Sequence, residues 1–181
     1  CSTLKEAMEQ IASSNGQIKD IILSEGTYVI GENKRINEEK GTDVSDTKST
    51  TVEIINYPIN IFGDSKLNRE DVVILGGFKI KKDEENEKDE EKKCGEGGEQ
   101  FRVHLKNMTI RNASNDGLVG ESSFTVENIL FDQCGGNGVL ASGSSVEGKC
   151  INVEIRQCGM SGIVASKGAS ITLVGSPTTI H

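Results

Sequence analysis

The chain has 181 residues, a formal net charge of −8, 21 glycines, two prolines and no tryptophan. That length is enough for one domain with a sizeable core, and no stretch is long and apolar enough to span a membrane as a helix. The acidic balance excludes the basic face that phosphate binding needs, so nucleic acid is not an expected partner.

In chain order, Leu4, Ala7, Met8 and Ile11 fall on one helical stripe, and Thr3 with Glu6 matches a capping box. Residues 3–13 are therefore predicted helical, ended by Ser13-Ser14-Asn15-Gly16. No signal peptide is visible, and the opening at Cys1 rather than methionine fits a processed or trimmed chain. Asp20-Ile21-Ile22-Leu23 reads as a strand closed by Glu25-Gly26. Residues 31–50 are polar and charged and read as a long exposed loop. Short β-rich runs follow at 51–55, 59–62, 72–75 and 78–80, separated by Asn56-Tyr57-Pro58, Gly63-Asp64 and Gly76-Gly77. From Asp83 to Glu99 nine acids face three bases. Like charges and low apolar content make this a solvated insertion.

From residue 101 the pattern becomes regular. Asn107-Met108-Thr109-Ile110-Arg111-Asn112-Ala113 returns 21 residues later as Asn128-Ile129-Leu130-Phe131-Asp132-Gln133-Cys134. It returns again, 24 residues on, as Asn152-Val153-Glu154-Ile155-Arg156-Gln157-Cys158. A second block, Gly117-Leu118-Val119-Gly120, recurs at the same two spacings as Gly138-Val139-Leu140-Ala141 and Gly162-Ile163-Val164-Ala165. The three extra residues belong between Gly138 and Asn152, in the turn at 142–148. A period in the low twenties built from β-type residues is a solenoid signature. One block cannot bury its own apolar face, whereas stacked blocks close a continuous core.

Stacking aligns residues into columns about 4.8 Å apart. Met108, Ile129 and Val153 form one apolar column, and Ile110, Phe131 and Ile155 another. Residues between them are expected to point outward. Ala113, Cys134 and Cys158 make a small-residue column at a bend. Asn107, Asn128 and Asn152 are expected to align at the start of each strand and to stack their amides from turn to turn. Arg111, Asp132 and Arg156 alternate in sign along an outward column. That column, with Glu154, is either a ligand-binding face or a surface charge ladder.

The phrase Ile22-Leu23-Ser24-Glu25-Gly26-Thr27-Tyr28, then Ile59-Asn60-Ile61-Phe62-Gly63-Asp64, then the asparagine-led turns, resembles the pectin lyase-like superfamily of right-handed parallel β-helix repeat proteins. The resemblance covers nearly the whole chain outside the two charged loops. It implies an N-terminal amphipathic helix capping one end of the β-helix, which suits residues 3–13. It does not imply an activity, since one fold hosts many. The polygalacturonase-like Asn-Thr-Asp, Asp-Asp and Gly-His-Gly motifs do not occur, nor does the tryptophan-bearing stretch of pectin methylesterases. The calcium site of pectate lyases needs several acidic ligands, and Asp132 beside Arg111 and Arg156 supplies one.

Other chemistry has fewer residues to draw on. A glycosidase needs paired carboxylates, and Asp132 with Glu154 are two residues out of register. His104, in Val103-His104-Leu105, would suit a general base but has no nucleophile partner in the pattern. Cys134 and Cys158 stack on adjacent turns, which fits either a redox or metal-binding thiol pair or simple small-residue packing. Five cysteines with no CxxC pair imply neither a disulfide framework nor zinc and suit a reducing compartment. Asn107 and Asn112 head glycosylation sequons, but Asn107 belongs to the proposed stack.

The expectation is one all-β domain over 1–181, a right-handed parallel β-helix of about five turns. Residues 1–16 form its helical cap, and 31–50 and 81–100 are charged insertions. The C-terminal end should be covered by further turns or another chain, because an open apolar end invites edge pairing. The expected role is a non-catalytic structural or binding module with a carbohydrate or protein partner and no cofactor or metal. Its alternative is a polysaccharide-active lyase or hydrolase. Arg111, Asp132, Glu154 and Arg156 are the candidate binding residues, and Asn107, Asn128, Asn152, Cys134 and Cys158 the structural ones.

Overall fold

The computed structural model describes residues 3–14, 17–30, 52–81, 102–175 and 179–180. The two insertions expected at 31–50 and 83–99 lie outside the described residues. Helix α1, Leu4–Ser13, starts where Thr3 accepts the Glu6 amide through its hydroxyl, and it buries Leu4, Met8 and Ile11. These are three of the four stripe positions, so the helix lays one face on the core.

Fifteen strands are described, and every pairing among them is parallel. They are β1 Asp20–Leu23, β2 Gly26–Val29, β3 Val52–Ile55, β4 Ile59–Gly63, β5 Val72–Leu75, β6 Gly77–Ile80, β7 Val103–Arg111, β8 Leu118–Gly120, β9 Phe124–Asp132, β10 Val139–Ser142, β11 Glu147–Ile151, β12 Glu154–Arg156, β13 Ile163–Ser166, β14 Ser170–Val174 and β15 Thr179–Ile180. One sheet runs β1-β4-β7-β9-β11-β14, with β2-β5 joining β7 and β12-β15 joining β9. The other runs β3-β6-β8-β10-β13. The described residues are thus mostly strand, in two parallel sheets that do not close on one another.

The repeat spacings reappear as strand register. Met108 faces Ile129, Ile110 faces Phe131, and Phe131 faces Ile155, all fully buried. In the second sheet Leu118 faces Val139, which faces Ile163. The spacing changes between Ala141 and Gly148, so the extra residues do fall in the turn after β10. One apolar cluster runs from α1 to Ile155.

Two expectations need correcting. Asn107 and Asn128 do not begin strands but sit inside the nine-residue β7 and β9. There φ is +56° and +52°, and Asn152 takes +50° in the gap between β11 and β12. Asparagine tolerates this left-handed region, so each marks a kink within a continuous run. The second correction concerns Thr109 and Leu130, which were expected to point into solvent but are fully buried. A one-turn 3-10 helix, Arg69–Asp71, lies over them, and Thr109 Oγ1 donates to the Arg69 carbonyl at 3.0 Å. The segment leading into that turn is tied down by Asn107, whose Nδ2 donates to the carbonyls of Asp64 and Leu67 at 2.9 and 3.1 Å.

Candidate functional site

Strands β7, β9 and β12 end at Arg111, Asp132 and Arg156, which pair in register. The next residues, Asn112, Gln133 and Gln157, take φ of +56°, +56° and +55°. This kink turns Ala113, Cys134 and Cys158 back toward the core and leaves Arg111 and Arg156 part-exposed, whereas Asp132, expected to point outward with them, is buried beneath the two arginines. Repeat geometry therefore builds the site, one residue per turn of chain.

Asp132 is only 4% exposed, and both its oxygens are engaged. Arg111 Nε donates to Oδ2 at 2.9 Å, and Arg156 Nε donates to Oδ1 at 3.1 Å. A buried carboxylate needs such charge-assisted partners. The hydrogen bond to Asp132, followed by the nearby negative charges, raises the pKa of Arg156. The guanidiniums remain part-exposed, at 34% and 40% of their side chains, so their outer edges face solvent. Beside them Gln133 Nε2 donates to Gln157 Oε1 at 3.1 Å. These five side chains line an open cavity of about 410 Å³.

Glu154 belongs to a different column, opposite Leu130 rather than Asp132. Its carboxylate pairs with Arg69 from the covering turn and lies 3.8 Å from Arg156 Nη1. It braces that turn, so the structure groups Arg111, Asp132 and Arg156 and sets Glu154 at their edge.

The amide column is joined at the Asn107–Asn128 step, where Asn128 Nδ2 donates to Asn107 Oδ1 at 2.7 Å. A parallel polar column escaped sequence reading. Asp116 Oδ1 accepts from the amide and side chain of Asn137 at 2.6 and 2.7 Å, and Asn137 Oδ1 accepts the Ser161 amide at 3.1 Å. Its signal was present, since these residues directly precede Gly117, Gly138 and Gly162 at the same spacings.

His104 is half-buried at the other end of β7, edge-on to Phe62 at 5.2 Å between ring centroids. Its Nε2 lies 3.5 Å from Glu127 but is buried without a hydrogen bond. Burial lowers its pKa, and Glu127 partly opposes this. A second open groove of about 380 Å³ lies nearby, lined by Arg102, Ser123, Thr125, Lys149, Ser170 and other residues of β9, β11 and β14.

Among the described residues no group of three or more His, Cys, Asp or Glu side chains is placed to hold a metal ion. No described helix is long and apolar enough to cross a membrane. No family model, curated protein or solved structure matches the chain.

Proposed function

We propose that the chain is a right-handed parallel β-helix, akin to the pectin lyase-like proteins, that serves as a non-catalytic carbohydrate-binding module. The observation that carries this reading is the row of planar polar side chains along the Arg111–Asp132–Arg156 column. Two guanidiniums two strand spacings apart and two amides one spacing apart surround an open cavity. Guanidiniums donate hydrogen bonds in pairs and amides both donate and accept, which suits adjacent hydroxyls or a carboxylate. The outer edges of the two guanidiniums remain part-exposed as free donors, which favours a saccharide bearing uronic acids. The regular spacing suits an extended polymer more than a compact ligand.

The enzymatic alternative would draw on Asp132 as its acid or base. That carboxylate is buried and committed to two arginines, which supports the binding reading instead. A glycan array, followed by calorimetry and a lyase assay on uronic-acid polymers, tests both. Binding is expected, with Arg156→Ala weakening it roughly tenfold, as loss of a charged hydrogen bond does. A product absorbing as an unsaturated sugar would overturn the non-catalytic part. Absence of binding to every glycan would overturn the carbohydrate part and favour a protein partner.

A further inference from the structure

Behind the charged column lies a pair of thiols that the binding reading does not use. Cys134 and Cys158 follow Asp132 and Arg156 by two residues, so the register of β9 and β12 carries through to them. Backbone bonds on both sides hold them opposite one another, with Gln133 N donating to the Arg156 carbonyl at 3.2 Å and Gly159 N to the Cys134 carbonyl at 2.8 Å. Each thiol donates to the carbonyl two residues earlier on its own strand, Cys134 Sγ to Asp132 at 3.9 Å and Cys158 Sγ to Arg156 at 3.7 Å. Neighbouring parallel strands set Cα atoms about 4.8 Å apart, inside the range a disulfide spans. The two residues differ in access. Cys134 is 1% exposed, whereas Cys158 is only partly buried and precedes the exposed Gly159 and Met160.

We infer that Cys158 and Cys134 form a thiol–disulfide exchange site for low-molecular-weight disulfides, with Cys158 attacking and Cys134 resolving. The Cys158 thiolate attacks one sulfur of the small disulfide, the S–S bond breaks, and one small thiolate leaves. Cys134 then attacks the Cys158 sulfur as its proton passes to the departing sulfur of the second small molecule, which leaves as a thiol. The protein gives up two electrons and two protons, and the small disulfide becomes two thiols. The difference in access supports the roles, and the two neighbouring thiols shift one another the same way: Cys134 lowers the pKa of Cys158, while Cys158 and burial raise that of Cys134. A lowered pKa at an accessible position is what makes a thiol an effective attacker. Cys150, buried with its pKa pushed up to about 12, has no such accessible pair.

The test uses the full chain with Cys1→Ser and Cys94→Ser, treated with oxidised glutathione and mapped by mass spectrometry. A Cys134–Cys158 disulfide is expected, with loss of two hydrogens and release of reduced glutathione. In the same background Cys134→Ala should hold glutathione on Cys158. That variant should also slow Cys158 alkylation at neutral pH roughly tenfold, as the thiolate fraction falls. The alanine repeats what Ala113 already does one turn earlier, so folding should persist, checked by circular dichroism. Two free thiols after treatment, or a glutathione adduct that persists on Cys158 with Cys134 present, would overturn the inference.

Discussion

Six polar residues, Asn107, Asn112, Asn128, Gln133, Asn152 and Gln157, hold the backbone at positive φ, two in each repeat. The left-handed conformation costs a residue other than glycine about 1–2 kcal/mol, so something must compensate. Asn128 and Gln133 do so by bonding to Asn107 and Gln157 on the neighbouring turns. The asparagines were legible as a column but not as kinks, although asparagine tolerates this region intrinsically. The glutamines were not, because their tolerance comes from packing against the next turn. His104 shows a residue whose environment changes its titration. Burial lowers its pKa, so the folded chain binds that proton less readily than the unfolded chain. The stability this gives is complete above the unfolded value of about 6.5 and falls as pH drops below it toward the folded value. Glu53, raised mainly by burial, contributes with the opposite sign in the carboxylate range. Urea denaturation at about pH 7 and 5.5 should therefore show less loss of stability in His104→Gln than in the parent chain. Equal losses would mean that burial of His104 does not govern this window.

Among the elements, the inner columns could be read directly because the two blocks share their spacings and one face must be apolar. The outer face was read less well. Thr109, Leu130 and Glu154 lie between inward residues and look solvent-facing, yet the turn at Arg69–Asp71 folds over them. That contact joins segments about forty residues apart or more, and local periodicity carries no trace of it. The glycines at the start of the second block have a cause that periodicity alone does not reveal. A Cβ on Gly138 would meet Ile155 Cγ2 at 2.6 Å and the Gly162 carbonyl oxygen at 2.7 Å. One on Gly117 would meet Phe131 at 2.7 Å and the Gly138 carbonyl oxygen at 2.9 Å. Those carbonyls accept the amides of Val139 and Leu118, so they cannot retreat without loosening the stack. Gly138→Ala is therefore expected to cost about 2–3 kcal/mol, the range for overpacking a tight core. Chemical denaturation measures this, and a change under half a unit would show that the strands can spread.

At the scale of the molecule, the two ends of the stack differ. Strands β1 and β3 begin the two sheets, and α1 packs at that end, where the Tyr57 hydroxyl donates to the Met8 carbonyl at 3.0 Å. At the other end β13 and β14 each pair on one side only, and Leu173 and Val174 are 49% and 41% exposed. In a stacked array each layer contacts mainly its neighbours, so damage at one end should stay near it. Met8, 2% exposed, joins helix and core at the sealed end. Met8→Ala is expected to cost about 2–3 kcal/mol through the cavity it leaves. The test that matters is where that loss is felt. Amide hydrogen exchange should quicken in α1, β1 and β3, while β9 and β10, several strands away, keep most of their protection. Uniform acceleration across β9 and β10 would instead mean that the whole stack opens as one unit. In that case the helix would act as a clasp for the entire fold rather than a cover for its first layer.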